Sequence, residues 1–453
     1  MQDTGSAQSP PIRVLIDASF AARQHSFGVK TGVGRVIDEI VCSLTRMHEF
    51  SIKAVGMQAH DLNTSQTDLW VERWAEAVLG CRSFACSGYR SFTGLGDRAG
   101  RFSYLVENMV SSSRSPASVK IALIKAANRL LRRMLKVDLR PIIDTDHTDV
   151  FLITFFPPPP CLPNGIPKVA IIYDIYPIRF PDECKQDVIG NLKSVIAALS
   201  PERDIVIAIS EFTKKDFCDL TGFPQERVIV CRLAASSRFR PLTDKHRLGE
   251  VLARYGIESD SYFLTVANPQ PRKNLVAAVN AFATCANRMP DWTGALVLAG
   301  NGCLGWGGHE VDRAIDELGS LRTRVVRTGP VAESDLAALY SGATGFLFPS
   351  TFEGFGLPVL EAMSCGVPVI ASNATSIPEV GGDAPIYCDP FNISAFADGM
   401  ERLLHDKNLR QLMSEKGLLQ SKAFSWDAAT ASVASALRKA HQIADSRSSC
   451  NGI

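Results

Sequence analysis

A chain of 453 residues is too long for one small module and, at about 100–200 residues per domain, reads as two large domains. Apolar residues make up 46% and charged residues 21%, which excludes a disordered chain and lets each half bury a core of its own. Lys and Arg total 48 against 47 for Asp and Glu, so the net charge of +1 offers no chain-wide field for nucleic acid or another polyanion.

The opening stretch, MQDTGSAQSPP, has neither a basic start nor an apolar core, and no later apolar run approaches the roughly 18–20 residues that span a bilayer. A soluble, cytoplasmic protein is expected. The twelve cysteines are scattered, with no CxxC pair and no cysteine/histidine cluster at zinc-ligand spacing, which fits reduced thiols.

Short β-branched runs alternate with helical stretches: Arg13–Ile16, Val150–Thr154, Val169–Ile172, Ile205–Ile209, Val228–Val230, Tyr262–Val266, Ala295–Ala299, Arg324–Arg327, Gly345–Phe348 and Pro368–Ala371. This alternation predicts an α/β chain of β-α units on parallel sheets. From about Arg232 to Ser261 no strong apolar strand occurs, and Pro241 and several charges intervene, so the linker is placed there. The resulting domains are 1–235 and 236–425, with 426–453 as a final helix and short tail. The Pro157–Pro160 run reads as a stiff loop. Two α/β halves facing a cleft would carry ligands at the carboxyl ends of their strands.

In chain order, Thr31-Gly32-Val33-Gly34-Arg35 opens a helical pattern (Val36, Ile37, Ile40, Val41, Leu44). Gly32 and Gly34 at a helix start permit close approach of a phosphate or sugar. A dinucleotide fingerprint is rejected, because G-x-G-x-x-G needs glycine where Ile37 stands and too many residues separate the strand from the glycines. Over 119–140, six basic residues fall within an arc of about 100° opposite an apolar face. That pattern suits either a helix packed on the first domain or one lying on an anionic membrane surface. Asp144-Thr-Asp146 imitates a metal-binding DxD. Val169-Ala-Ile-Ile-Tyr173-Asp174-Ile-Tyr-Pro177 is a buried strand ending on polar residues, with Asp174 open to a role as strand-end cap or as a ligand to a hydroxyl. Ser210 in Ile209-Ser210-Glu211-Phe212-Thr213 is expected to cap a helix.

Arg272 and Lys273 follow the strand Tyr262–Val266 in Asn268-Pro-Gln-Pro-Arg272-Lys273-Asn274. Two adjacent cations on such a loop suit a diphosphate, or simply a solvated surface. Gly300-Asn301-Gly302 and Gly329-Pro-Val331 lie at later strand ends. Pro349-Ser-Thr-Phe-Glu353-Gly354-Phe355-Gly356-Leu357-Pro-Val-Leu-Glu361 then joins a strand to a helix beginning near Pro358. Amides there can hold an anion, and Glu353 in the loop and Glu361 a turn inside the helix can accept from two parts of one polar ligand. A cap and a solvated helix residue are the bland reading of that pair.

The segment FEGFGLPVLEAMSCGVPVIAS, with its two glutamates, resembles the signature of the retaining group 1 (family 4) glycosyltransferases, which adopt the GT-B fold of two Rossmann-like doubly wound domains facing a central cleft. The resemblance implies that Glu353 contacts the donor sugar, Glu361 the ribose hydroxyls, and the amides of Gly354, Phe355, Gly356 and Leu357 the phosphate and sugar. It implies further that Lys273, with Arg272, meets the donor diphosphate. Many members carry a second arginine six positions before that lysine, where this chain has Ala267. Gly32 and Gly34 match a TG-[IV]-G-R loop facing donor phosphate and acceptor. Gly300, Asn301 and Val331 match loops flanking the nucleotide, and the helix after Phe424-Ser-Trp426 matches one that crosses back to the first domain. Where many members have His-Asp beside the reacting carbon, this chain has Tyr173-Asp174, similar to the YDLIP-like segments of bacterial polysaccharide mannosyltransferases.

The resemblance thus implies a retaining hexosyltransferase moving a hexose, with mannose from GDP-mannose as the expected donor, to a glycan or polyprenyl-linked glycan in polysaccharide biosynthesis. Glu353, Asp174, Tyr173 and Lys273 are the expected catalytic set, no metal or other cofactor is expected, and peripheral membrane contact through 119–140 is open. A non-catalytic nucleotide- or glycan-binding scaffold, a nucleotide-sugar epimerase and a phosphorylase on the same fold are the alternatives. The loops Ala18–Lys30 and Ser83–Arg101, which would shape the acceptor side, match nothing interpretable.

Overall fold

Strands rich in valine, isoleucine, leucine and phenylalanine without polar alternation are buried on both faces, which requires helices on either side of each sheet. The computed structural model describes residues 10–26, 31–55, 71, 74–76, 78, 126, 145, 147–159, 162–258, 261–300 and 308–450, and in it these strands build two sheets. The first half runs β1 (Ile12–Asp17), α1 (Ser19–Ser26), α2 (Gly32–Leu44), β2 (Phe50–Val55), β3 (Val150–Ile153), β4 (Lys168–Ile172), α3 (Tyr176–Arg179), α4 (Gln186–Ala197), β5 (Ile205–Ala208), α5 (Glu211–Thr221) and β6 (Val228–Val230). After α6 (Lys245–Arg254) the second half runs β7 (Tyr262–Val266), α7 (Leu275–Arg288), β8 (Ala295–Ala299), α8 (Gly308–Asp316), β9 (Val325–Gly329), α9 (Glu333–Gly342), β10 (Gly345–Phe348), α10 (Leu357–Ser364), β11 (Val369–Ser372), α11 (Ile377–Gly381) and β12 (Ile386–Cys388). Three helices close the chain: α12 (Ile393–His405), α13 (Lys407–Ser421) and α14 (Trp426–Cys450).

The sheets have orders β2-β1-β3-β4-β5-β6 and β12-β11-β10-β7-β8-β9, with every pairing parallel. Successive residues point to opposite faces. Val14 and Ile16, Val169 and Ile171, Ile205 and Ile207 enter one apolar cluster, while Leu15, Ala170, Ile172, Val206 and Ala208 enter another. In the second sheet Val297, Phe346 and Phe348 join the first of these clusters, and Leu296, Leu298 and Leu347 a third. One core therefore runs through both halves, with a separate core on the outer face of each sheet.

Ten strands were expected from apolar runs, and the structure adds β2 and β12, one of the two end strands of each sheet. An edge strand pairs on one side only, so β2 tolerates exposed Ser51, and β12 is just three residues long. The linker stretch carries no strand but does carry α6, whose Asp244 accepts from the amides of His246 and Arg247 at 3.0 and 3.1 Å. Helix α14 packs on α2 and against β3 to β6, burying Val433, Ala434, Ala436, Leu437 and Ala440. Arg438 adds a two-pronged bond to Glu49 at 3.0 and 2.9 Å. No helix among the described residues is long and apolar enough to cross a membrane. The basic stretch 119–140 apart from position 126, the Asp144/Asp146 pair, the loop 83–101 and Asn301 lie outside the described residues.

Leu437 is fully buried beneath α14. Its replacement by alanine leaves a cavity and is expected to lower stability by about 2–5 kcal/mol, read as a shift of the urea midpoint at unchanged slope.

Candidate active site

The carboxyl ends of β7 and β10 lie side by side because those strands pair, and this brings two sequence-distant loops together. A short turn over Pro271–Lys273 follows β7, and Asn274, at φ 50°, redirects the chain into α7. Lys273 Nζ lies 2.6 Å from Glu353 Oε1, and Ser350 donates to the same oxygen at 2.6 Å. Thr375 Oγ1 accepts from the Glu353 amide at 3.0 Å, and Ser376 Oγ bonds the carbonyls of Glu353 and Phe355 at 2.9 Å each. Burial would raise the Glu353 carboxyl, but Lys273 and Arg272 outweigh it and hold it below the usual glutamate range. Burial also pulls the Lys273 ammonium below the ordinary lysine range, with Glu353 opposing. At an effective dielectric of 20 two charges this close gain about 6 kcal/mol, comparable to the several kcal/mol that desolvating each ion costs. Net stability therefore gives little reason for this pair.

The halves meet at Gly354. A Cβ there would stand 1.8 Å from the Tyr173 carbonyl oxygen and 3.1 Å from Asp174 Cβ, so only glycine lets the loop after β10 touch the end of β4. Ser210 and Thr213 at the start of α5 donate to the Gly354 carbonyl at 2.6 and 3.0 Å. Ser210 thus does more than the cap expected of it, although it also accepts from the Thr213 amide. Glu379 accepts from the first amides of α5, Glu211 and Phe212, at 2.9 and 2.7 Å. Phe352 lies among the rings of Tyr176, Phe180 and Phe212. Across the same junction Arg272 Nη1 reaches Asp174 Oδ2 at 2.9 Å, with its guanidinium 5.1 Å from the Tyr176 ring centre. The other Asp174 oxygen accepts from the Tyr176 amide at 3.1 Å, so this residue is both a strand-end cap and an ion-pair partner.

Beyond Gly354, α10 starts at Leu357 behind Gly356, which sits at φ 109°. Glu361 is buried one turn in, and its oxygens contact Arg35 Nη1 at 2.9 Å and Tyr340 Oη at 3.2 Å. Burial pushes its carboxyl above the usual range, with Arg35 the main opposing influence. Arg35 comes from the first turn of α2, whose Gly32 lies close to Leu357: a Cβ at 32 would stand 3.4 Å from Leu357 Cδ1. The two glycine-led helix starts thus face one region. A Cβ at Gly34 would strike Gln24, so that glycine answers to packing within the first half. Phe355 is buried against Phe424 at 5.8 Å, leaving its backbone to serve the loop. Gly300, at φ 140°, has its Cβ position 2.5 Å from the Ala267 carbonyl, and its amide donates to Gly329 at 3.2 Å. Ala267, Gly300 and the Gly329–Val331 turn are therefore neighbours at the ends of β7, β8 and β9.

Tyr173 is placed differently from the rest of the expected set. Its hydroxyl is buried with no hydrogen-bond partner among the described residues, and its titratable neighbours there are Cys231 and Asp17 rather than Lys273 or Glu353. Only its backbone carbonyl abuts the Gly354 loop. Asp17 is fully buried and pushed up to about 6 by burial, although Ser19 and the Phe156 amide donate to it.

A depression of about 780 Å³ opens at the amino-terminal edge of the second sheet, beside Trp292, Thr344, Pro368, Lys407 and Arg410, and none of the motif residues lines it. The site is thus located by converging polar groups at the strands' carboxyl ends rather than by concavity.

Residues 252–420 match the family described as Glycosyl transferases group 1. The chain is 32% identical over 274 residues to O-antigen chain mannosyltransferase B of Escherichia coli, a match spanning 59% of this chain and 70% of that one. It belongs to the group 1 glycosyltransferases. A second relative, the serotype-specific mannosyltransferase WbdA of E. coli, is 33% identical over 237 residues, which span 49% of this chain but 27% of WbdA. This glycosyltransferase also shares its fold with Anabaena Alr3699/HepE, solved with UDP and glucose, at a TM-score of 0.59 and 16% identity over 94% of this chain and all (100%) of that one. The two-domain GT-B fold is thereby established.

Motif reading located Glu353, Glu361, Lys273, Arg272, Asp174 and the Gly354–Leu357 loop in this glycosyltransferase, and the structure gathers them at one junction. It did not assign roles to Arg35, Tyr340, Ser350, Thr375 or Ser376. Arg35 stands within the quoted TGVGR motif, whereas Tyr340 is one ring in the apolar pattern of α9 and gives no separate signal. Gly354→Ala is expected to hold the halves apart. Hydrogen exchange at the Glu211 and Phe212 amides, which Glu379 covers, should accelerate while the strand amides of both sheets stay protected; unchanged protection of those two amides would show that the junction accommodates a methyl group.

Proposed function

We propose that this glycosyltransferase moves mannose from GDP-mannose to a hydroxyl of a glycan or polyprenyl-linked glycan, with retention of the α configuration. The observation that carries the reading is the joint placement of Arg272 and Lys273 with Glu353 at the junction of the halves. The matched relatives named as mannosyltransferases favour mannose.

In this reading the donor diphosphate replaces carboxylates as the partner of Arg272 and Lys273, and the amides of Gly354 to Leu357, leading into α10, add to its stabilisation. Glu353, released from part of its bond to Lys273, accepts from hydroxyls of the transferred sugar. Glu361 accepts from the ribose, and the Gly300 and Val331 loops border the base. Asp174 stands on the acceptor side, where it orients the attacking hydroxyl. The acceptor oxygen forms the new bond to the anomeric carbon as the bond from that carbon to the diphosphate breaks, and the acceptor proton passes to the departing phosphate on the same face. No side chain is required as a covalent nucleophile, and the Tyr173 hydroxyl, turned toward Asp17, shapes the first half instead of the reaction. Protein cations and amides meet the leaving charge, so no metal is invoked. A polyprenyl-linked acceptor would bring the enzyme to a membrane face, for which the basic pattern over 119–140 is suited.

The test is transfer from GDP-mannose, UDP-glucose and ADP-glucose to mannosylated acceptors, with the product anomer read by NMR. An α-mannosyl product formed equally in the presence of EDTA supports the proposal. A β product, donor conversion without acceptor, or a requirement for free phosphate would each replace it. Glu353→Gln and Lys273→Ala are each expected to lower kcat/KM by at least about 10²-fold. Lys273→Ala also strands a buried carboxylate, costing about 3–5 kcal/mol of stability, and the double variant Lys273→Ala/Glu353→Gln should recover stability without recovering activity. Calorimetry alongside the kinetics separates the two effects.

A further inference from the structure

The carboxylate assigned to the ribose is built from both halves of the molecule. Glu361 lies on α10, and Tyr340 on α9 fixes one of its oxygens from within the second half. The Tyr340 ring is itself held edge-on by Phe239 and Phe346 at 5.9 and 5.3 Å. The other oxygen is held by Arg35, which reaches over from α2 in the first half at 2.9 Å. Arg35 also has Glu333 at 3.9 Å, but Arg238 already engages Glu333 at 2.6 Å, so the short contact is the one to Glu361. The Arg35 guanidinium rests 5.8 Å from the centre of the Phe239 ring, which restricts its swing.

We propose that Arg35 is a positioning residue of the donor site: from the first half it aims Glu361 as a hydrogen-bond acceptor for the ribose hydroxyls, so that nucleoside recognition is completed only when the two halves are together. This rests on the assignment of Glu361 to the ribose. A carboxylate offers about four lone-pair sites, and Arg35 and Tyr340 use two, leaving others for a diol. The groups facing Glu361 are Arg35 from α2, Glu333 and Tyr340 from α9, and Cys365 just beyond α10. Burial and Glu333 favour the protonated acid, and Arg35 is the cation among these groups that opposes them. A protonated Glu361 would exchange one acceptor for a donor and bind a diol less well.

The test compares, for the full chain, binding of whichever of GDP, UDP and ADP binds wild type most tightly with its 2′,3′-dideoxy counterpart, in wild type, Arg35→Met, Arg35→Lys and Glu361→Gln. Arg35→Met is expected to weaken the ribose form by about tenfold or more, the scale of one charged hydrogen bond, while changing the dideoxy form by less than about twofold. In Arg35→Met the affinity for the ribose form should fall away at a higher pH than in wild type as the solution is acidified, because Glu361 then takes up its proton earlier. Arg35→Lys should restore much of the loss. Equal losses for both ligands, or none, would overturn the proposal and leave Arg35 a purely structural contact. Glu361→Gln that keeps the full preference for the ribose form would instead overturn the ribose assignment beneath it. Retained dideoxy binding shows in every variant that the site has folded.

Discussion

A lysine ammonium and a glutamate carboxylate 2.6 Å apart, largely out of water, set the terms for the rest of this junction. Their attraction roughly offsets their desolvation, so the pair adds little net stability, yet removing either member leaves a buried charge unmatched. Such a pair is constrained in place but open to exchange: a polyanion entering beside Lys273 supplies a better partner than one carboxylate. The surrounding bonds prepare for this. Ser350, Thr375 and Ser376 hold the Glu353 segment by its carboxylate, amide and carbonyl, so the position of Glu353 does not rest on Lys273 alone.

The same economy of charge extends across the junction. Arg272 with Asp174 and Arg35 with Glu361 each join one half to the other, and both pairs include a group assigned to the donor. Gly354, against the Tyr173 carbonyl, brings the halves close enough for those side chains to meet. Glycine is required there because backbone, which cannot swing aside, occupies the space where a side chain would begin. On the proposed reading, hydroxyls and phosphates of the donor compete for groups that here bind each other across the junction.

Much of this was legible in the residues. Strands buried on both faces announce themselves as unbroken apolar runs and became the inner strands of both sheets, while β6 and β9, although at sheet edges and less buried, kept enough valine and isoleucine to be seen as well. The edge strands β2 and β12 escaped because half-exposed backbone tolerates serine, lysine and short length, which erases the apolar signal. Residues fixed by motif spacing, Glu353, Glu361 and Lys273, were located because their backbone context is as specific as their side chains. Tyr340 was not, since its hydroxyl bonds a residue 21 positions away that only the packing of α9 on α10 brings near. Tyr173 shows the converse. Its position beside Asp174 placed it in the catalytic set, but side chains alternate along an extended segment, and its ring packs against the core that both halves share while Asp174 faces Arg272.

The central claim is that the cations gathered where the halves meet receive a diphosphate. The most direct measurement is the thermal midpoint of the full chain with guanosine, GMP or GDP at equal concentration, since a ligand of the native state raises stability in proportion to its affinity. The expected result is a clear upward shift with GDP, a smaller one with GMP and almost none with guanosine, all diminishing as salt is added. Equal shifts from guanosine and GDP, or no shift with any of the three while UDP and ADP also fail, would contradict it.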